Sequence, residues 1–340
     1  MVLVTGASGF IGPSVVRRLF ELGFCSVRCL VRSAGRAENL RGLCDQSKGQ
    51  QLQLVTGNLL NREDCLAATE GAAVVLHLAA NGSRSYPDAY MNSVVTTRNL
   101  LDACVHHGCL KRFVNVSSFA VYDIKSKSTG NLLDESCPVE AHPEARGEAY
   151  CFAKVKQDEM VAEYGLRHQI PSVTVRPGVV YGPGKLGITG RVGIDTFGFF
   201  LHLGGSNRIP FTYVDNCANA IVLAGLQPGV EGEIFNVLDD DLPTSRQFLR
   251  LYKRQVKSFH SVYLPKIASY LLCSLWERYS AWSKGQLPPS FNRSRWYCVW
   301  KKTRYTNAKL KARLGWQPMV STQEGLRRYF EACRAGETHG

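Results

Sequence analysis

The first half of the chain alternates short apolar runs with amphipathic stretches. Residues 2–5, 27–31, 52–55, 74–78, 113–116 and 173–175 are brief and almost continuously apolar. A strand covered on both faces carries such a run, because neither side of its pleat meets water. Residues 15–22 and 89–105 instead space their apolar side chains three and four apart, the period of a helix lying on a core. Strands alternating with covering helices predict an α/β chain built on a doubly wound parallel sheet.

Beyond residue 178 the pattern loosens. Gly182, Pro183, Gly184, Gly187, Gly190 and Gly193 mark a long loop region. Residues 211–214 read as a further strand, 216–226 as a helix, and 244–259 as a helix with Thr244 or Ser245 near its cap. The expected division is a sheet domain over residues 1–177 and a smaller lobe over 178–335, with some segments of the lobe returning to the sheet. The most apolar late run, residues 267–276, is too short to cross a bilayer, which takes roughly twenty residues. It reads as a lobe helix or as a segment lying against a membrane.

Composition changes this picture in two places. The 340 residues are 45% hydrophobic and include twelve cysteines, which show neither zinc-site spacing nor a disulfide framework. With no apolar leader before Val2, they are expected as reduced thiols in a cytoplasmic protein, and no metal site is expected. The net charge of +13 is concentrated: from Arg246 to Arg313 there are sixteen Lys/Arg against one acid, Glu277. Aromatics including Tyr263, Trp276, Trp282, Trp296 and Trp300 are interleaved with them. Such a region suits an anionic ligand or an anionic membrane face, or serves as a solvated surface over an ordinary core. It carries no nucleic-acid recognition motif.

Thr5-Gly6-Ala7-Ser8-Gly9-Phe10-Ile11-Gly12 follows the first strand and opens the first helix. Gly6 permits a tight turn, Gly9 lets backbone approach a pyrophosphate, and Gly12 packs helix against sheet, so the phosphates meet free N–H groups at the helix start. At the end of the second strand an acid would bind the ribose of NAD, whereas Leu30-Val31-Arg32-Ser33, with Arg36 close behind, suits the 2′-phosphate of NADP. NADP is therefore the favoured cofactor and NAD the alternative.

Tyr150-Cys151-Phe152-Ala153-Lys154 sets a phenol and an ammonium on one face of a helix. A cation beside the phenol is expected to lower its pKa, so that Tyr150 exchanges a proton with a carbinol. Ser118 ends the fifth strand, at the edge where open α/β sheets bind ligands, and its hydroxyl is placed to hold the substrate oxygen.

In these motifs the chain resembles the extended short-chain dehydrogenases/reductases, a Rossmann-fold group that includes NAD-dependent epimerases/dehydratases and 3β-hydroxysteroid dehydrogenases. The likeness also includes His77-Leu78-Ala79-Ala80, Val116-Ser117-Ser118, Arg176-Pro177, Tyr181-Gly182-Pro183-Gly184 and Tyr213-Val214-Asp215-Asn216. It implies that Ser118, Tyr150 and Lys154 are catalytic. It further implies cofactor contacts from Gly6, Ser8, Gly9, Phe10, Ile11, Gly12, Asn58, Leu59, Ala79, Pro177, Tyr150 and Lys154. His77 is structural in that group and is given no chemistry. Two departures stand out: Gly57-Asn58-Leu59 has an amide where the group often has aspartate, and Asn92 sits one position early for a water-relay asparagine.

The resemblance leaves two substrate classes open. Sugar-nucleotide enzymes have Arg-x-x-Asn after the sixth strand, where this chain has Arg176-Pro177-Gly178-Val179. The stretch from Phe211 to Asn216 and the aromatic, basic lobe with Pro288-Pro289 look more like 3β-hydroxysteroid and sterol dehydrogenases. The favoured reading is a secondary alcohol/ketone oxidoreductase of that kind; the alternative is nucleotide-sugar epimerase, dehydratase or ketoreductase chemistry. A non-catalytic dinucleotide sensor is a third class, against which Ser118, Tyr150 and Lys154 argue together. A homodimer, with peripheral membrane contact, completes the expectation.

Overall fold

The computed structural model describes residues 1–45, 48–80, 85–125, 130–196, 198–283, 286 and 291–338; the side chains of Ala34, Arg36, Glu337 and Thr338 lie outside that description. Pro288 and Pro289 lie outside the described residues as well.

Seven parallel strands form the central sheet: β1 (Val2–Thr5), β2 (Ser26–Val31), β3 (Gln51–Thr56), β4 (Val74–His77), β5 (Arg112–Val116), β6 (Ser172–Pro177) and β7 (Ile234–Val237). Their order across the sheet is β3-β2-β1-β4-β5-β6-β7. Alternate residues feed opposite faces, as a pleat requires. Val2, Val4, Leu76 and Val114 join one buried cluster with helices α1 (Gly12–Glu21) and α5 (Val214–Leu226). Leu3, Val75 and Phe113 join a second cluster beneath α2 (Arg62–Thr69), α3 (Thr96–His107) and α4 (Ala149–His168). This is the doubly wound, Rossmann-like fold the apolar runs predict. The chain winds one way from β1 to β3 and the other way from β4, so the ends of β1 and β4 border the crevice where such sheets bind ligands.

Three features differ from the sequence expectation. β7 was not foreseen: its apolar run is broken by the fully buried Asn236, whose carbonyl accepts a hydrogen bond from the Tyr122 hydroxyl at 2.7 Å. The helix expected over residues 89–105 is interrupted; Met91–Val95 forms a wider π turn before α3 begins. The glycine-rich region is not loop throughout. Gly193–Thr196 and Phe199–His202 pair antiparallel, and Phe199–His202 also pairs in parallel with Ser261–Tyr263. Gly193 is needed there, since a Cβ would come within 2.0 Å of the Leu201 carbonyl oxygen.

The lobe adds α6 (Ser245–Gln255), α7 (Lys266–Trp282) and α8 (Arg293–Trp300). Thr244 caps α6 in a reciprocal box with Gln247, which settles the expected alternative of Thr244 or Ser245. α7 packs against α8 through the indole of Trp296, which donates to Ser269 Oγ at 2.9 Å.

Candidate active site

The turn after β1 is shaped by what a side chain would strike. Gly6 has φ +71°, and a Cβ there would sit 2.7 Å from the Ala79 backbone nitrogen. A Cβ on Gly12 would lie 2.0 Å from the Ala7 carbonyl oxygen, so Gly12 is required by the turn itself more than by packing on the sheet. Gly9 closes the turn by donating to the Gly6 carbonyl at 3.0 Å. α1 then starts with a proline in its first turn and no side-chain cap. An uncapped helix start beside glycine backbone is a cradle for phosphate oxygens. The residues present thus fit a dinucleotide.

Two adjoining cavities run across the carboxyl edge of the sheet. The first, of about 350 Å³, is bordered by Ser8, Arg32, Asn58, Leu59 and Ala79. The second, of about 450 Å³, is bordered by Phe10, Ile11, Gly12, Ser118, Tyr150, Lys154 and Pro177. Gly6, Gly9, Leu78 and Ala80 border both, which makes one groove centred on the glycine turn. The structure therefore brings together every residue the sequence nominated except Arg36, whose side chain lies outside the described residues. Thr96 in the first cavity and Lys185 in the second were not nominated. Lys185 comes from the glycine-rich stretch, where no local pattern marks a site; its ammonium lies 5.7 Å from the centre of the Phe10 ring. Asn58 is tied into its own loop: its N–H donates to Asp64 at 2.7 Å and its side-chain oxygen accepts from Leu60 at 3.1 Å.

Ser118 follows β5 and opens a short 3₁₀ turn, its hydroxyl oxygen accepting from the Ala120 N–H at 3.1 Å. Tyr150 lies in the first turn of α4 and shares a hydrogen bond with Ser118. Burial nevertheless holds the Tyr150 phenol above its ordinary pKa, the Ser118 bond pulling the other way and Asp158 adding to the rise. The expectation of a depressed phenol is not met here. The reason is geometric: the Lys154 ammonium is turned to the Val116 carbonyl at 2.7 Å and to Gln157 Oε1 at 2.8 Å. Burial lowers Lys154 itself to about 8, against a weaker upward pull from Asp158.

Behind Lys154 runs a buried polar chain. Gln157 Nε2 donates to Thr97 Oγ1 at 2.9 Å, and Thr97 in turn donates to the Ser93 carbonyl. His77 reaches the same Thr97 oxygen with Nε2 at 2.9 Å and Thr5 Oγ1 with Nδ1 at 2.7 Å. Burial, with Lys154 nearby, pushes His77 down to about 3, so the ring is neutral. Because Thr97 spends its proton on Ser93, it can only accept from its other two partners. Nε2 of His77 therefore carries the hydrogen, and Nδ1 accepts from Thr5. Asn92 takes no part; its amide donates to Asp88 at 2.7 Å. Gln157 fills the position of an acceptor at Lys154, one turn along the same helix face. Its signal in the sequence was a polar residue between the apolar Val155 and Val161, both buried in the structure.

Arg176, where sugar-nucleotide enzymes begin their arginine motif, is buried and already engaged. It meets Asp158 Oδ2 at 3.0 Å and lies 4.7 Å from the centre of the Tyr122 ring. Arg208 donates to the Leu242 carbonyl at 2.9 Å.

Comparison with known proteins decides the family. Residues 2–237 match the model of the "NAD dependent epimerase/dehydratase family". The chain belongs to that family. By sequence the chain is similar to the 3beta-hydroxysteroid-dehydrogenase/decarboxylase isoform 1 of Arabidopsis thaliana, 26% identical across 97% of this chain and 79% of the relative. The trifunctional UDP-glucose 4,6-dehydratase RHM1 of the same plant is 26% identical over 69% of this chain and 36% of its own length. Among solved structures, the UDP-glucuronic acid 4-epimerase of Bacillus cereus in complex with NAD superposes with a TM-score of 0.74 over 100% of this chain and 98% of its own, at 20% identity. That likeness concerns the fold. The family is NAD-dependent, which makes this chain a nicotinamide-dependent enzyme of the extended short-chain dehydrogenase/reductase type. Among the described residues no helix is long and apolar enough to cross a membrane.

Proposed function

We propose that the protein interconverts a lipophilic secondary alcohol and its ketone, with Ser118, Tyr150 and Lys154 as catalytic residues and with residues 178–335 mainly forming the substrate lobe. The observation that carries this reading is the lining of the catalytic cavity. It is bordered by Phe10, Ile11, Val116, Val179 and Val180, with Lys185 as the one cation besides Lys154 among its described lining residues. A sugar diphosphate needs fixed cationic donors, and Arg176 is spent on Asp158. The likeness to a plant 3β-hydroxysteroid dehydrogenase over nearly the whole chain supports the same substrate class.

When bound, the dinucleotide supplies the hydride acceptor or donor. Ser118 Oγ holds the substrate oxygen, and the Tyr150 hydroxyl exchanges the carbinol proton. Lys154 favours the ionised phenol once a ligand draws its ammonium toward the cofactor ribose. For the cofactor we favour NADP, because Arg32 borders the first cavity from the end of β2, where a 2′-phosphate would meet it.

The test is turnover of 3β-hydroxysteroids against UDP-sugars with either dinucleotide, in wild type and Tyr150→Phe. Hydroxysteroid oxidation that falls by ~10²–10⁴-fold in the variant, with cofactor affinity kept, is the expected result. Turnover of UDP-sugars alone would reverse the choice of substrate class, and full activity in Tyr150→Phe would remove the catalytic assignment.

A further inference from the structure

Helix α7 packs the wrong way round for a soluble helix. Its buried positions are the small residues Ser269, Cys273 and Ser280. Its large apolar side chains point outward: Ile267 is 78% exposed, Leu275 60% and Trp282 76%, with Leu271 and Tyr279 also exposed. These five recur every three or four residues and so make one stripe along the helix. Val262 and Tyr263 of the preceding strand are exposed as well, and Arg246 lies 5.2 Å from the centre of the Tyr263 ring. At the far end Tyr279 and Trp282 stack on each other in the open, 5.7 Å apart. Burying this stripe in water-free surroundings is favourable, and a contiguous exposed apolar patch of this kind marks an interaction site.

We propose that this face of α7 seats on the surface of a negatively charged phospholipid bilayer. Charge complementarity selects the occupant. The sequence from Arg246 to Arg313 carries sixteen cations and one acid; Arg293 pairs with that acid, Glu277, at 2.8 Å. Arg295, Lys309, Lys311 and Arg313 pair with acids outside the interval, so the cation excess is carried by the other eleven, the exposed Arg278 of α7 among them. A second copy docking through the same patch would be isologous and would set this basic region against itself. An anionic leaflet meets it with opposite charge, and Trp and Tyr settle at the headgroup level. The 17 residues of α7 lie along the surface and do not span it.

The placement also bears on the catalytic groove. α7 packs on α8, Arg295 of α8 pairs with Glu148 at 3.0 Å, and Asn292 donates to the Arg146 carbonyl at 2.8 Å. Glu148 is the residue that starts the helix carrying Tyr150. A bilayer-seated α7 therefore holds the catalytic helix close to the lipid surface. That this delivers a lipophilic alcohol rests on the function proposed above; the seating itself does not.

The experiment is cosedimentation of the full chain with vesicles of phosphatidylcholine alone and of phosphatidylcholine with phosphatidylserine, at low and high salt and without substrate or cofactor. Wild type is expected to pellet with the phosphatidylserine vesicles at low salt and to be released as salt rises. Leu271→Glu with Leu275→Glu changes only exposed positions and is expected to weaken this partition by roughly tenfold or more, with dinucleotide binding unchanged. Absence of binding to phosphatidylserine vesicles at low salt overturns the proposal. So does binding that the double variant leaves intact, or a lipid-free dimer that the variant dissociates without any vesicle binding. Because turnover is not measured, failure here is separate from failure of the proposed reaction.

Discussion

Replacing Gln157 with leucine removes the side-chain acceptor from the Lys154 ammonium at nearly constant volume. Lys154 is 2% exposed, so no water is positioned to take over the lost bond. A hydrogen bond to a charged group is worth roughly 1.5–3 kcal/mol, and a bond to the neutral amine about half that. The difference falls on the protonated form alone. At about 1.4 kcal/mol per pKa unit it lowers Lys154 by roughly one unit, from its starting value of about 8. Gln157→Glu acts in the opposite sense, since a carboxylate beside the ammonium favours its charge and raises the pKa. The assay is the carbon-13 titration of the lysine ε-methylene, with Lys154 assigned by its loss in Lys154→Met. It reads the residue without requiring a substrate. A merely structural role for Gln157 would lower stability in both variants and leave the titration unmoved. Superimposable Lys154 titrations in wild type and both variants would falsify the assignment of Gln157 as its positioning residue.

Two further outcomes follow from the same geometry. Arg32→Ala is expected to weaken NADP binding by ~10–100-fold more than NAD binding, since only NADP offers a 2′-phosphate for a charge-assisted bond; equal losses in fluorescence titrations refute the preference. His77 titrates near 6.5 when unfolded and near 3 when folded, so the unfolded chain binds the extra proton between those values. Its contribution is present above pH 6.5 and is lost as pH falls toward 3, by up to about 4–5 kcal/mol. Asp239, held up to about 6 by burial, titrates in the opposite sense over part of that range. The readout is therefore the difference in denaturant stability between wild type and His77→Asn, which is expected to shrink as the solution is acidified. A difference independent of pH disproves the neutral, buried ring.

How much of this was legible in the sequence depends on the range of the interactions involved. Most of the first six sheet strands were readable because they are covered on both faces, which writes burial directly into a short apolar run. The edge strand β3 has no buried residue and was readable only from Leu52, Leu54 and Val55. The glycine turn was readable because backbone clashes leave glycine no substitute at Gly6 and Gly12. β7 was hidden because its one polar residue, Asn236, takes a hydrogen bond on its side-chain oxygen from Tyr122, 114 positions away. Local pattern cannot report such a partner. The roles of Thr97 and Gln157 were missed for the same reason, since their polarity makes sense only once α3, α4 and the end of β4 are side by side. Lys185 had no periodicity around it at all. The phenol of Tyr150 was misjudged because spacing on a helix gives proximity to Lys154 but not the direction in which its ammonium points.

The lobe and the catalytic helix are joined through Glu148 as well as through Asn292. Glu148 binds Arg146 at 3.0 Å with one oxygen and Arg295 of α8 at 3.0 Å with the other. Arg146 is 3% exposed and also donates to the Ala120 carbonyl, within the turn that holds Ser118. Moving α8 away would strip Arg295 from Glu148 and Asn292 from the Arg146 carbonyl, while leaving Glu148 paired with the buried Arg146. Lys185 leans on Phe10 from a stretch where Gly184 and Gly187 both take positive φ, and the Tyr329 hydroxyl donates to the Gly187 carbonyl. Glycine backbone of that kind rearranges at low cost. Among the described residues that border the catalytic cavity, Lys185 is carried by that backbone, and none comes from α8.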